Sequence, residues 1–306
     1  MAVNPTGNKI YVANYNDATV SEIDTDSWSV YYNIHVGNAP IGLAMSPNGS
    51  RLYVANYDDN TFGVVNTSTD TEYFWLNVGR RPWGIAVTPN GNKVYVGNNG
   101  DTSVSVIDAN SLTVTSTVRV GVGPIGLTAS PDGSKIYIAN SFGNSISVIN
   151  TSNDSVSATI PAGYFPEGTS ISPDGSELFV ADENSNFVKV INTTSNTVTD
   201  SIPVGSVPIA FGNFISTYPS LSGIPVQSFE NDYISIYPNP ANTILNIHNQ
   251  SGIRNYELEI MDVMGNEVYK QTINGLENSI DISNLSNGVY FIRLPPTNTF
   301  KTGSLL

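Results

Sequence analysis

The sequence predicts an all-β chain, a five-bladed β-propeller followed by a small antiparallel β-sandwich, and three observations carry that prediction. Turn prolines stand at Pro5, Pro47, Pro89, Pro131 and Pro173, each 42 residues after the last. Turn glycines keep step at Gly7, Gly49, Gly91, Gly133 and Gly175, and a second proline set does so at Pro40, Pro82, Pro124, Pro166 and Pro208. Each period holds four short runs rich in Val, Ile, Tyr and Thr, in the second copy Ile41 to Met45, Arg51 to Asn56, Thr61 to Asn66 and Thr71 to Val78. A period near this length belongs to helical arrays or to four-stranded blades, and these runs decide for blades.

Each element follows from its turn chemistry. Between the first two runs of the later units comes Pro-Asn-Gly or Pro-Asp-Gly. There proline pre-sets φ, Asn or Asp tolerates the bend and glycine supplies a positive φ, so the runs form a hairpin. Between the third and fourth runs stands Asp24, Asn66, Asp108, Asn150 or Asn192, whose side chain can close an Asx-turn on its own backbone. The inner runs offer Gly42, Ala44, Gly84, Ala86, Gly126, Thr128, Gly168, Ser170 and Ala210, small residues suited to a crowded axis. The recurring Asn14, Asn56, Asn98, Asn140 and Asp182 read as turn-closing groups at strand ends.

The two ends of the repeat array (1–215) are complementary. Four periods carry Ile41–Ser46 onto Ile209–Phe214, an inner strand after which no sixth turn follows. The chain begins Met1-Ala-Val-Asn-Pro-Thr-Gly7 and goes directly into a second strand, Lys9 to Asn14. Unpaired sheet edges leave N–H and C=O groups unmet, so the strand at 209–215 is expected to lie antiparallel on Lys9–Asn14 and close the first blade. From 216 to 232 the period lapses into unpatterned Ser, Pro and Gly, a linker. Strand signals resume over 233–306, at Ile234 to Pro240, Ile244 to Ile247, Tyr256 to Val263, Glu267 to Ile273, Ser279 to Ile282 and Val289 to Leu294, as in a small sandwich.

Composition narrows the function. Charged residues make up 12% of the chain against about 25% in ordinary globular proteins, and Ser, Thr and Asn supply the polarity. With no cysteine there is no disulfide framework and no thiol chemistry. The formal charge of −14 divides into 8 basic and 18 acidic residues up to 215, then 4 and 8. Such a surface repels phosphate backbones, so neither nucleic acid nor an anionic membrane is an expected partner. No apolar run approaches the roughly 18–20 residues of a membrane span. The first residues lack a charged stretch followed by an apolar one, which leaves two readings, a cytoplasmic chain or one whose start is missing.

The repeat resembles the YVTN family of β-propellers through Tyr11-Val-Ala-Asn-Tyr15, Tyr53-Val-Ala-Asn-Tyr57, Tyr95-Val-Gly-Asn-Asn99, Tyr137-Ile-Ala-Asn-Ser141 and Phe179-Val-Ala-Asp-Glu183. That resemblance covers residues 1 to about 215 and implies a secreted or surface-exposed propeller, in a family where seven blades are common. Beyond the linker, Tyr237-Pro-Asn-Pro-Ala241, Leu245-Asn-Ile247, Met261-Asp-Val-Met-Gly265, Ile280-Asp-Ile-Ser-Asn-Leu285 and Gly288-Val-Tyr-Phe-Ile292 resemble the sorting domain read by the type IX (Por) secretion system of certain Gram-negative bacteria. Members often end in a lysine-rich strand, whereas this tail is Phe300-Lys-Thr-Gly-Ser-Leu-Leu306. The resemblance implies that the propeller is cargo and that 233–306 address it to the type IX secretion machinery. It further implies a secreted or cell-surface protein of a Gram-negative bacterium, with a signal peptide missing from the start.

Residues able to do chemistry are sparse. His35 lies on the outer strand of the first blade and His248 in the C-terminal domain, both at half-exposed strand positions. No nucleophile elbow, phosphate loop or paired metal ligands appear, so no catalytic residue, cofactor or metal is expected. Asp17, Asp58, Asp59 and Asp101 follow second strands, and carboxylates suit calcium. They spread over three blades without an Asp-x-Asp-x-Asp spacing and read as solvated loop residues.

The units differ most where an outer strand crosses to the next inner strand: Gly37-Asn-Ala-Pro40, Gly79-Arg-Arg-Pro-Trp83, Gly121-Val-Gly-Pro124, Gly163-Tyr-Phe-Pro-Glu167 and Gly205-Ser-Val-Pro208. In a four-stranded meander this crossing and the loop after the second strand emerge on the same face. Arg80, Arg81, Trp83, Tyr164, Phe165 and Glu167, with Asp58 and Asp59, are therefore the candidate ligand-binding residues, being of types enriched at recognition hot spots. The competing reading is that Trp83 and Phe165 fill gaps between blades. The chain is expected to bind a glycan or a surface protein rather than to catalyse. The alternatives are a lactonase-like or lyase-like propeller whose catalytic residues lie on absent blades, or a structural surface-layer repeat.

Overall fold

The computed structural model describes residues 1–210 and, beyond them, 234–237, 243–249, 256–261, 267–275, 277–285, 288–294 and 299–305. The chain divides into two compact units, Met1–Tyr218 and Pro219–Leu306. The linker expected at 216–232 lies outside the described residues.

Five four-stranded antiparallel sheets stand in a row in the first unit. Blade 1 holds β1 (Ala2–Val3), β2 (Lys9–Asn14), β3 (Thr19–Asp24) and β4 (Ser29–His35); blade 2 holds β5 (Pro40–Met45), β6 (Arg51–Asn56), β7 (Thr61–Asn66) and β8 (Thr71–Asn77). Blade 3 holds β9 (Pro82–Val87), β10 (Lys93–Asn98), β11 (Ser103–Asp108) and β12 (Thr113–Arg119); blade 4 holds β13 (Pro124–Ala129), β14 (Lys135–Asn140), β15 (Ser145–Asn150) and β16 (Ser155–Pro161). Blade 5 holds β17 (Pro166–Ile171), β18 (Glu177–Asp182), β19 (Phe187–Asn192) and β20 (Thr197–Pro203). The turns are those the sequence calls for. Gly7, Gly49, Gly91, Gly133 and Gly175 sit at φ between 71° and 76°. Asp24, Asn66, Asp108, Asn150 and Asn192 accept backbone N–H groups two or three residues on at 2.7–3.1 Å, the expected Asx-turns.

Missing side chains at the axis set how the blades meet. A Cβ on Gly42, Gly84 or Gly126 would fall on the backbone carbonyl of Trp83, Ile125 or Glu167 in the next blade, and one on Gly168 would fall on that of Ala210. Inner strands accordingly pack β5 on β9, β9 on β13 and β13 on β17. Farther out, Tyr11, Tyr53, Tyr95 and Tyr137 are fully buried, Tyr53 in a cluster with Val94, Val96 and Ile107 of the following blade. Burying a large apolar side chain contributes roughly 1.5–3 kcal/mol. Phe179, their counterpart in blade 5, is half-buried.

The first blade departs from expectation. The edge of β2 is held by β1, with Ala2 opposite Tyr11 and Val3 opposite Ile10. One period on, Ala44 and Met45 face Tyr53 and Leu52 in the same register. Ala2 and Val3 thus occupy two of the places expected for the strand at 209–215. Residues 209–210 belong to no strand, and 211–215 lie outside the described residues. Loop entropy favours this outcome: a turn of a few residues in place of a loop of roughly 200 lowers the closure cost by about 3 kcal/mol.

The second unit contains a three-stranded sheet, order β21 (Ile234–Tyr237), β22 (Ile244–Asn249), β25 (Glu277–Asp281). A four-stranded sheet has the order β24 (Glu267–Ile273), β23 (Tyr256–Met261), β26 (Gly288–Leu294), β27 (Thr299–Leu305). Leu245, Ile247 and Ile280 from the first sheet and Leu258, Ile260 and Ile292 from the second bury into one core, so the pair is a sandwich.

The axial contact gives a direct test. Gly84→Ala puts a methyl group into the Ile125 carbonyl and should destabilise the propeller by about 1–3 kcal/mol. Gly205→Ala, where an added Cβ meets nothing within 4 Å, should stay within about 0.5 kcal/mol. Urea unfolding of the two variants should separate them clearly, and equal midpoints would refute a close-packed axis.

Candidate functional site

Two sets of loops are tied together on one face of the propeller unit. The Asn38 N–H and Nδ2 donate to Asp59 Oδ2 and Oδ1 at 2.7 and 2.9 Å, and the Arg80 N–H donates to Asp101 Oδ2 at 2.6 Å. Toward the following blade, the N–H groups of Arg81, Phe165 and Val207 donate to Oδ1 of Asn60, Asn144 and Asn186 at 2.8, 3.0 and 2.9 Å. Each pair lies 21 residues apart, so the loop after a second strand clasps the crossings on both sides of it. The residue before each second proline is left-handed, at Ala39, Arg81, Gly123, Phe165 and Val207 (φ 52°, 52°, 70°, 68°, 57°). For residues other than glycine that conformation costs about 1–2 kcal/mol, which the Asn acceptors help offset at Arg81, Phe165 and Val207.

On this face, blades 1 to 3 carry a run of rings. Tyr15 and Tyr57 lie with centroids 6.3 Å apart, and Tyr57 meets Trp83 edge to face at 5.6 Å. The Arg81 guanidinium sits 5.5 Å from the Tyr57 ring centroid, a cation–π contact worth about 0.5–1 kcal/mol where solvent reaches it. Arg81 and Tyr15 are exposed, and Tyr57 and Trp83 half-buried. Beside them opens a cavity of about 440 Å³ lined by Tyr15, Asn16, Asn38, Asp58 and Asp59.

Blades 4 and 5 carry a second group. Phe142 and Phe165 meet edge to face at 5.1 Å, and the Tyr164 N–H donates to the buried Asp182 Oδ1 at 2.7 Å. Glu167, expected on the surface, is buried beside Glu183. Burial first, then the neighbouring Glu183 carboxylate, pushes its carboxyl from the ordinary 4.5 up to about 7.

Of the eight expected residues, Arg80, Arg81, Asp58, Asp59 and Tyr164 are exposed, Trp83 and Phe165 half-buried, and Glu167 buried. Trp83 and Phe165 each pack on a ring from the preceding blade, so they bridge blades while keeping an open edge. The eight divide between the ring run and the second group. Tyr15, Tyr57 and Glu183 were not singled out, although a signal exists: the residue after each Asn- or Asp-ended second strand reads Tyr15, Tyr57, Asn99, Ser141 and Glu183. Asp59 and Asp101 spend carboxylate oxygens on crossing N–H groups. Among the described residues no group of three or more acidic or histidine side chains is placed to hold a metal, and no helix is long and apolar enough to cross a membrane.

The Glu167 carboxyl predicts a pH effect with a definite sign. An acid whose folded pKa exceeds its unfolded value contributes stability that is complete below about 4.5 and is lost as pH rises to about 7. Glu167→Gln should therefore gain on the native protein between pH 5 and pH 8 in urea unfolding. Parallel stability curves would show that Glu167 ionises freely.

Comparison with known proteins agrees with this architecture. Residues 41–139 match the model of the YNCE-like beta-propeller, and residues 235–305 match that of the secretion system C-terminal sorting domain. Among solved structures, hydrazine synthase of Kuenenia stuttgartiensis is similar at 18% identity and a TM-score of 0.61, over 99% of this chain and 94% of that one. A functionally unknown protein from Desulfotomaculum acetoxidans is similar at 18% identity and 0.61, over 90% of this chain and 87% of that one. A search of curated proteins found no match. At such identities the structures speak for the fold alone. The chain is a β-propeller, YNCE-like over residues 41–139, that carries a Por secretion sorting domain over residues 235–305.

Proposed function

We propose that this secreted or surface protein binds rather than catalyses, and that its propeller engages a glycan or a surface protein through the face formed by blades 1 to 3. The observation that carries the reading is the run Tyr15, Tyr57 and Trp83 with Arg81 over Tyr57. Blades 3 to 5 have Asn99, Ser141 and Glu183 where the tyrosines stand, so no repeat geometry demands the rings. Aromatic residues and Arg are the types that dominate recognition energetics. Where Gly42, Gly84, Gly126 and Gly168 meet neighbouring carbonyls, the inner strands give a catalytic group little room.

Two measurements test the reading. In a screen of glycans and outer-surface proteins with the full chain, Arg81→Ala combined with Trp83→Ala should weaken ligand binding by about 2 kcal/mol or more, as hot-spot truncations do. Arg81→Ala alone should cost only about 0.5–1 kcal/mol of stability, the worth of an exposed cation–π pair. Binding that survives the double variant would sink the assignment of this face. Export is tested separately: residues 233–306 behind a signal peptide and a reporter should carry the reporter to the surface of a type IX-competent host, and periplasmic retention would count against them.

A further inference from the structure

Blade 2 departs from its four sister blades at one cross-strand location. Opposite each other on the third and fourth strands stand Ser21 and Asn33 in blade 1, Ser105 and Thr117 in blade 3, Ser147 and Thr159 in blade 4, and Lys189 and Ser201 in blade 5. In blade 2 the pair is Gly63 and Trp75. Two pairs along, past a register shift, Val30, Val114, Val156 and Val198 face an isoleucine, whereas blade 2 has Glu72 facing Val65.

The three changes fit together physically. In sister blades the strand-end Asn donates from Nδ2 to the serine hydroxyl, as Asn98 does to Ser105 at 3.0 Å and Asn140 to Ser147 at 2.9 Å. Gly63 removes that hydroxyl, and a Cβ placed there would fall on the Glu72 carboxylate oxygen. Glu72 therefore fills the void, with Asn56 beside it. Its Oε1 is buried, with the Asn56 amide as its polar neighbour. Trp75 stands at the mouth, 63% exposed. A cavity of about 380 Å³ opens here, lined by Asn56, Asp59, Thr61, Glu72, Trp75 and Asn77, within the roughly 300–1,000 Å³ of small-molecule sites.

We infer that this cleft is a sugar-binding subsite, in which a neutral pyranose ring lies on the Trp75 indole and its hydroxyls bond Glu72 and Asn77. A flat apolar platform beside a few convergent amide and carboxyl groups matches the alternating C–H and O–H character of a pyranose. A cationic ligand fits less well. The Asp59 carboxylate is already engaged by Asn38, and burial pushes the Glu72 carboxyl up to about 7, away from the charged form a cation needs. The inference rests on the propeller being a binding module but not on the Tyr57–Trp83 face.

The test is calorimetric titration of the full chain with cellotetraose, chitotetraose, mannotetraose and xylotetraose, with choline and lysine amide as cationic comparators. At least one tetrasaccharide should bind, and Trp75→Ala should lower its affinity about tenfold or more. The triple variant Gly63→Ser, Glu72→Val, Trp75→Thr gives blade 2 the residues of blade 3, so it should fold and should abolish binding. Trp28→Ala, at a 74% exposed residue outside both the cleft and the ring run, should leave the affinity unchanged. Binding of the cations alone, binding that survives the triple variant, or no tetrasaccharide bound would each overturn the cleft. Loss with Trp83→Ala but not with the cleft variants would overturn it too, while leaving the proposed face intact.

Discussion

Everything in the propeller unit depends on how closely successive inner strands approach. At Gly42, Gly84 and Gly126 the next blade's carbonyl occupies the space that a side chain would need. Between blades 4 and 5 the approach is sealed further, Thr128 Oγ1 donating to the Thr169 carbonyl at 2.7 Å. An axis built this way favours small residues over the acids and histidines that a catalytic channel requires. Larger and more varied side chains are found on the loops, which the same repeat geometry gathers on one face.

The two ends of the blades are secured by different means. On the loop face, side chains of Asp59, Asn60, Asp101, Asn144 and Asn186 capture backbone N–H groups half a period away. At the start of the second strands, cations reach into the following blade: Arg51 to the Ala109 carbonyl, Lys93 to the Thr151 carbonyl at 2.7 Å and Lys135 to the Thr193 carbonyl at 3.0 Å. These bonds give buried carbonyls a partner, and their value lies in the desolvation cost they avoid. Lys9 is the exception, held at 2.7 Å by the buried Glu22. Asp70 feels burial first and then Glu22, and its carboxyl rises to about 6. Like charges near that turn are tolerated because one of them can take up a proton.

The sequence was legible wherever meaning is local. Hairpin glycines, Asx-turns and strand cores follow from three or four adjacent residues and a strict period, and all fall where expected. Meaning carried by pairs distant in the chain was not. Ala2–Val3 is too short to show an alternating pattern, and only its register against Tyr11 and Ile10 makes it a strand. Glu167 looked like surface decoration until Glu183, 16 positions on, proved to lie against it. Glu72 carries no local signal, since its placement depends on a side chain absent at Gly63.

A repeat protein supplies its own controls, and these weigh against drift as the account of blade 2. Glutamate, at a position where the sister valines are more than a third exposed, is turned inward here, and glycine in place of serine would leave Asn56 short of an acceptor. Together the two compensate, the carboxylate lying where the hydroxyl would have been. Packing also gives Trp75 a partial reason, because an aromatic ring opposite a strand glycine covers the exposed backbone. Compensation accounts for no more than that. It leaves a carboxyl group lining an open cleft and an indole with most of its surface in water. A change that served the fold alone would have closed both, whereas a bound sugar ring would use them together.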